Sequence, residues 1–537
     1  MGGSRATKCA VEIGSYKARN KVTTQDSDAS DASKLCTGLL IHEEQEHPES
    51  SANAATLLLV DTFTLVNHNL GVDSIPHIGQ DVFDFPSRTQ ALVEQLAERK
   101  DSALDSGEKK GTWGSLAGVK LEENTRAATD EDLLRNGATS RRYLTHLKNT
   151  SRKLRQHARQ VQVSQENGSA SSGALTWEWL DWDETTIVTP DSEHAARRAV
   201  GAVMEATEAV WSGRFRNAFV ACRPPGHHNG VNELLAKVER NGHRYASHGG
   251  CLLNETAVAV HHLRHVFGTA ASLKSTSAKQ AKPCKTKRGR SVHGDRCCDA
   301  GSPSTRSLQP AQAAGEGPGY GAQRARVCIL DVDVHFGDGT AWQFYFDPSV
   351  LTVSLHLDQS DDQAFPYLKG KPVERGDEEG RGANINLPLP EGSGDAHAWN
   401  LLHACAFPRI EAFKPEIIFV AFGTDGLEGD PTAAGLKYTP GLLSEVVKWC
   451  SQTCPKVICT LQGGYQAVPL AQAVEGALMA LTDILGDGYY AGGIESEFQD
   501  YIANVEEQLE NGSHWWSWNA SFEYEPAAGV VHPPISE

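Results

Sequence analysis

The run Asp331-Val332-Asp333-Val334-His335 sets three metal- and proton-handling side chains at two-residue spacing. Residues two apart on a strand face the same side, so Asp331, Asp333 and His335 project together. Asp333 and His335 can grip one metal ion, and Asp425 in Gly423-Thr424-Asp425 is the best candidate for a third ligand. Two carboxylates and one imidazole leave a position on zinc open for water and substrate. Zinc polarises a carbonyl and lowers the pKa of bound water to roughly 7. His227 and His228, adjacent after Pro224-Pro225-Gly226, offer a general base and a general acid. Tyr465, on the Gly463-Gly464 turn, can donate to a developing oxyanion. The chemistry this describes is metal-assisted hydrolysis of an amide or ester. A G-x-S-x-G elbow and an HExxH helix are both absent, which disfavours acyl-enzyme and metalloprotease readings.

Each of these segments follows an apolar run of strand length: 218–222, 327–330, 351–355, 417–422 and 457–461. Near-continuous apolar strands belong to a sheet covered on both faces. Such sheets place their sites beyond the carboxyl ends of the strands. The chain therefore reads as a single large doubly wound α/β domain with a mainly parallel sheet. Read one at a time, the residues have bland alternatives. An Asp at a strand end often caps the next helix, and Asp338 can merely shape the Gly337-Asp338-Gly339 turn. A lone His after a strand is usually structural, and His356 is assigned no role.

In ordered combination, the motifs RPPGHH at 223–228, GGCLLNETA at 249–257, DVDVHFGDGT at 331–340, VSLH at 353–356, GTDGLEGDP at 423–431 and QGGY at 462–465 resemble the zinc-dependent histone deacetylases, within the arginase/deacetylase fold. The resemblance implies one zinc ion (Zn2+) held by Asp333, His335 and Asp425. It implies that His228, paired with Asp338, is general base and acid, and that His227, paired with Asp331, is its electrostatic partner. Tyr465 would stabilise the oxyanion. Phe365 would wall the tunnel for the acyl-lysine stem, with Gly249, Gly250 and Thr432 also at substrate positions. Asp331, Asp333, His335, Ser354 and Leu355 match the family's structural monovalent-cation site, usually potassium (K+).

Thr189–Ser192 with the Ala-rich stretch after it, Asn384–Pro390, and the place of Gln462 before Gly-Gly-Tyr resemble class II members. Gly250 stands where the family has a second tunnel Phe, Phe336 where it has a second His, Glu255 where Asn or Asp is common, and Thr432 where Leu is common. The implied reaction is hydrolysis of acetyl-lysine to lysine and acetate. The implied partners are acetylated protein tails, histones among them, and a chromatin-associated complex, with a role in transcription repression. The alternatives are a deacylase of acetylpolyamines or of longer acyl-lysines, motivated by Gly250, and a non-enzymatic scaffold.

The net charge of −18 over 537 residues argues against direct nucleic-acid binding. The twelve cysteines lack a CxxC pair and read as reduced thiols of a nuclear or cytoplasmic protein. No apolar run approaches membrane-spanning length, and the N-terminus lacks a hydrophobic signal core. Residues 1–35 read as a disordered tail and 36–490 as the catalytic domain. Its first strand is expected near 37–42. Insertions are expected at about 51–85 and, flexible and basic, at about 269–326; residues 491–537 form a C-terminal extension. The run Lys282–Arg290 in the second insertion fits a nuclear import signal or an ordinary basic loop.

Overall fold

The computed structural model describes residues 55–61, 63–64, 88–89, 92, 118–167, 178–179, 186–230, 247–278, 324–358, 370–433, 435–483, 485 and 492–511. All of them belong to one compact unit. Ten strands are described: β1 Thr56–Val60, β2 Val119–Glu123, β3 Glu178–Trp179, β4 Ile187–Val188, β5 Asn217–Ala221, β6 Val327–Asp331, β7 Val350–Leu357, β8 Asn384–Leu389, β9 Ile417–Phe422 and β10 Val457–Leu461. Eight of them form one sheet in the order β2-β1-β5-β10-β9-β6-β7-β8, parallel at every pairing. β3 and β4 form a small antiparallel pair.

Alternation along the strands explains why the sheet is covered twice. Leu58, Phe219, Cys328, Leu330, Val420 and Cys459 point to one core, shared with the helices Pro440–Thr453 and Ala467–Leu481. Leu57, Ala218, Val220, Ile329, Phe419 and Ile458 point to the other, shared with Ser192–Trp211 and the start of Glu255–Ala278. A strand with both faces buried is apolar at most positions, and the polar exceptions are hydrogen-bonded, as Thr352 is to Asn384 and Asn217 to the Leu481 carbonyl. Truncating such a residue, Leu330 for example, would cost about 2–5 kcal/mol.

The five strands expected from the apolar runs are present within a residue or two. Three local readings change. β1 lies inside the 51–85 stretch read as an insertion, and it is an interior strand between β2 and β5. β2, Val119–Glu123, is preceded by no apolar run and is not among the strands expected from the sequence; at the edge of the described sheet it is only half-buried and needs none. The helix Glu255–Ala278 runs into the start of the segment read as a flexible insertion. Residues 1–35, the expected strand at 37–42, the basic run at 282–290 and Trp515, Trp516 and Trp518 lie outside the described residues. Of the C-terminal extension, the helix Ser496–Asn511 packs Phe498, Val505 and Leu509 into the first core.

Candidate active site

Four neighbouring strands, β5, β10, β9 and β6, deliver the site residues at their carboxyl ends. β5 runs into the 223–228 turn, which carries His227 and His228, both buried. β6 ends at Asp331 and is followed by Asp333 and His335. β9 is followed by Asp425, and β10 by Gln462 and the Gly463-Gly464-Tyr465 turn.

One ligand atom each of Asp333, His335 and Asp425 lies within 4.8 Å of the others. His335 Nδ1 stands 3.2 Å from Asp333 Oδ1 and 3.5 Å from Asp425 Oδ2. Backbone groups fix both carboxylates: Gly463 N donates to Asp333 Oδ2 at 2.9 Å, and Val334 N to Asp425 Oδ1 at 2.9 Å. Gly463 is required here because a Cβ would stand 2.0 Å from Asp425 Oδ2. Burial, then the charge of Asp333, raises Asp425 to about 7. Burial also pushes Asp333 upward, but His227 and then His335 outweigh it and hold Asp333 well below the ordinary carboxylate range. Two buried carboxylates converging on one imidazole form a donor set that suits a divalent cation of the zinc type.

Both histidines of the turn are oriented by a carboxylate. His227 Nδ1 lies 2.9 Å from Asp331 Oδ2, and His228 Nδ1 lies 2.9 Å from Asp338 Oδ1. Their rings are 4.0 Å apart. The two environments drive them in opposite directions. Burial opposes protonation of His227, but Asp333 and then Asp331 outweigh it and raise the ring to about 10. Burial and then the His227 charge push His228 well below its ordinary value, so His228 is the neutral ring of the pair.

Tyr465 is held through its backbone: its N–H donates to Asp430 Oδ2 at 2.7 Å. Asp430 Oδ1 accepts from the backbone and hydroxyl of Thr432, so one carboxylate ties the tyrosine turn to that position. Arg88, buried, donates to the carbonyls of Gly464 and Gln462 at 2.7 and 2.9 Å, and its guanidinium lies 5.2 Å from the centre of the Tyr465 ring. Gly249 and Gly250 turn the chain at φ of +61° and +74°. A Cβ on Gly250 would meet nothing within 4 Å among the described residues. Phe365 lies outside the described residues.

Asp331 and Ser354 are register partners on β6 and β7, with Leu355 next along the strand. Ser354 Oγ bonds His356 Nδ1 at 2.9 Å, and His356 Nε2 bonds the Gly370 carbonyl at 3.0 Å. His356 is thus a satisfied core histidine, with burial lowering its pKa to about 4. Sequence reasoning missed two features. His248 Nε2 lies 2.9 Å from Asp338 Oδ2. Glu255, fully buried, accepts from the Gln462 amide. The one sequence signal for His248 is its place directly before the Gly-Gly-Cys turn.

The Histone deacetylase domain model matches residues 84–270 and 319–481. Histone deacetylase 15 of Arabidopsis thaliana is 25% identical over 447 residues, 83% of this chain and 60% of that protein. Histone deacetylase 4 of Caenorhabditis elegans is 27% identical over 322 residues, 58% of this chain and 28% of that protein. A Mus musculus polyamine deacetylase, HDAC10, is 28% identical over 301 residues, 56% of this chain and 34% of its own length. The chain thus spans between 28% and 60% of the length of these relatives. The crystal structure of the HDA15 HD domain superposes with a TM-score of 0.55 at 21% identity, covering 85% of this chain and 95% of that one, which is a likeness of fold. With the family model covering well over half of the sequence, the chain belongs to the histone deacetylase family.

Proposed function

We propose that the protein is a zinc-dependent protein lysine deacetylase of class II type. The observation that carries this reading is the meeting of His227, His228, Asp333, His335, Asp425 and Tyr465 at the ends of four adjacent strands. Asp333, His335 and Asp425 would hold the zinc ion, which supplies Lewis-acid polarisation and a more acidic water when bound. His228, neutral and oriented by Asp338, takes the proton of the attacking water at Nε2 and returns it to the leaving lysine amine. His227, charged and paired with Asp331, stabilises the negative charge that develops nearby. The Tyr465 hydroxyl donates to the oxyanion of the tetrahedral adduct. Asp331, Asp333, His335, Ser354 and Leu355 are proposed to hold a structural potassium ion.

Acetylated protein tails, histones included, are the proposed substrates; the net charge of −18 suits a basic partner. The nucleus or cytoplasm is the corresponding site of action, within a chromatin-associated complex. Longer acyl-lysines are the second reading, favoured by the open space at Gly250. Acetylpolyamines, the other alternative that Gly250 raises, are supported further by the name shared by two relatives. Purified protein assayed on a fluorogenic acetyl-lysine peptide tests the proposal. Turnover should vanish on chelation, return with one equivalent of zinc, and be absent in Asp425→Asn; full activity in that variant would overturn the reading.

A further inference from the structure

Asp338 serves two histidines. Its Oδ1 takes His228 Nδ1 at 2.9 Å, while His248 Nε2 lies 2.9 Å from Oδ2 and 3.1 Å from Oδ1. The two rings are 4.9 Å apart. Asp338 and His228 are buried, and the His248 side chain is 12% exposed. One ligand atom from each of the three lies within 4.8 Å of the other two, the same criterion that Asp333, His335 and Asp425 meet. Proton transfer by His228 needs a single carboxylate on Nδ1 to fix its tautomer. A second imidazole on the far oxygen of that carboxylate is surplus to this role.

We propose that His228, Asp338 and His248 form a second divalent-metal site, distinct from the Asp333–His335–Asp425 centre, whose filling switches the hydrolase off. The proposal rests on the reading of His228 as the general base. Two imidazoles and one carboxylate form a nitrogen-rich set suited to zinc. Imidazole coordinates in its neutral form, so filling the site needs both rings unprotonated.

The effect on catalysis follows from the tautomer. A neutral imidazole carries one proton and one lone pair. With Nδ1–H donating to Asp338, the lone pair of His228 is on Nε2, where a base needs it. A cation bound at Nδ1 takes the lone pair there, and the proton moves to Nε2. On His248 the coordinating atom is Nε2, and its proton sits on Nδ1. His228 keeps its proton, but its Nε2 becomes a donor and can no longer accept a proton from water. The His248 side chain, 12% exposed, is the member of the set that reaches towards solvent, directly before the Gly249-Gly250 turn.

The test uses the full chain, stripped of metal and titrated with zinc. Bound metal is counted by equilibrium dialysis and deacetylation of the acetyl-lysine peptide is followed in parallel. The wild type should bind two equivalents, with activity rising on the first and falling at least tenfold on the second. His248→Gln and His248→Met should each bind one equivalent and lack the inhibitory phase. Asp425→Asn should also bind one and be inactive, while a wild type that binds two but never turns over would defeat the catalytic reading and not the stoichiometry. A wild type that saturates at one equivalent overturns the second site, as does an unchanged inhibitory phase in both folded His248 variants. Cobalt(II) absorption, read on the same samples, reports the second site without reference to activity.

Discussion

The side chain of Gln462 joins Glu255 to the histidine turn: its amide donates to Glu255 Oε1, and its carbonyl accepts from the backbone N–H groups of Gly226 and His227 at 3.1 and 3.3 Å. All of these groups are buried. Gln462→Ala strands a carboxyl oxygen and two N–H groups at once. Leaving buried polar groups unpaired costs about 1–3 kcal/mol each, less what relaxation recovers. A net loss of about 2–4 kcal/mol in urea unfolding is expected, with a fall in kcat. Stability within about 0.5 kcal/mol of wild type, the range of an ordinary surface change, would show that the bridge carries no weight.

Glu255 also sets a pH dependence. Burial raises its carboxyl from 4.5 to about 7. The folded chain therefore binds this proton more tightly than the unfolded chain does. The corresponding stability is complete below pH 4.5, declines as the pH rises towards about 7, and is absent above it. The swing is at most about 3 kcal/mol. Glu255→Gln keeps an acceptor for the Gln462 amide and removes the titration. Unfolding free energies of the two proteins from pH 4 to pH 8 should diverge in slope over that window; parallel curves would refute the assignment.

Tyr465→Phe isolates the oxyanion donor, since the backbone bond from residue 465 to Asp430 survives the change. A loss of about 10²–10³ in kcat is expected, the usual cost of one such donor. KM and the melting temperature should hardly move. A large rise in KM at constant kcat would mean that the hydroxyl binds substrate in its ground state instead.

Gly250→Phe tests the acyl preference. The added ring meets no atom within 4 Å of its Cβ, but the backbone there sits at φ +74°. The left-handed conformation costs a residue with a Cβ roughly 1–2 kcal/mol, so some loss of stability is expected. The informative readout is the ratio of kcat/KM for a longer acyl-lysine peptide to that for the acetyl peptide. It should fall several-fold in the variant. An unchanged ratio would place the acyl chain away from this turn.

What could be read without the structure depended on distance along the chain. Strands that end in a motif, such as β6 before Asp331 and β10 before Gln462, announce themselves twice. β1 has as apolar a run as any, Thr56-Leu57-Leu58-Leu59-Val60, but no catalytic residue follows it, and it passed for an insertion. β2 is an edge strand, so its alternation is weak. The grouping of Asp333, His335 and Asp425 could be anticipated because the first two are two residues apart and Asp425 follows a strand of the same kind. His248 could not, because it follows no apolar run and nothing near it in the sequence points to Asp338, ninety residues on. The Gln462–Glu255 bridge spans 207 residues, and each member looked like an isolated departure from a motif.

The strand order also governs how the protein is made. β10 lies between β5 and β9, yet it is the last strand of the sheet to be synthesised. Between the emergence of residue 221 and that of residue 457, a ribosome working at about 5–20 residues per second takes roughly 10–50 s. During that time the nascent sheet can exist only as two halves, β2-β1-β5 and the growing β9-β6-β7-β8 part. The inner edges of both halves are unpaired, and an open apolar edge is a template for misassembly. The 223–228 turn meanwhile has no Gln462 to hold it. Both apolar edges therefore stay open during synthesis until the tenth strand closes the sheet.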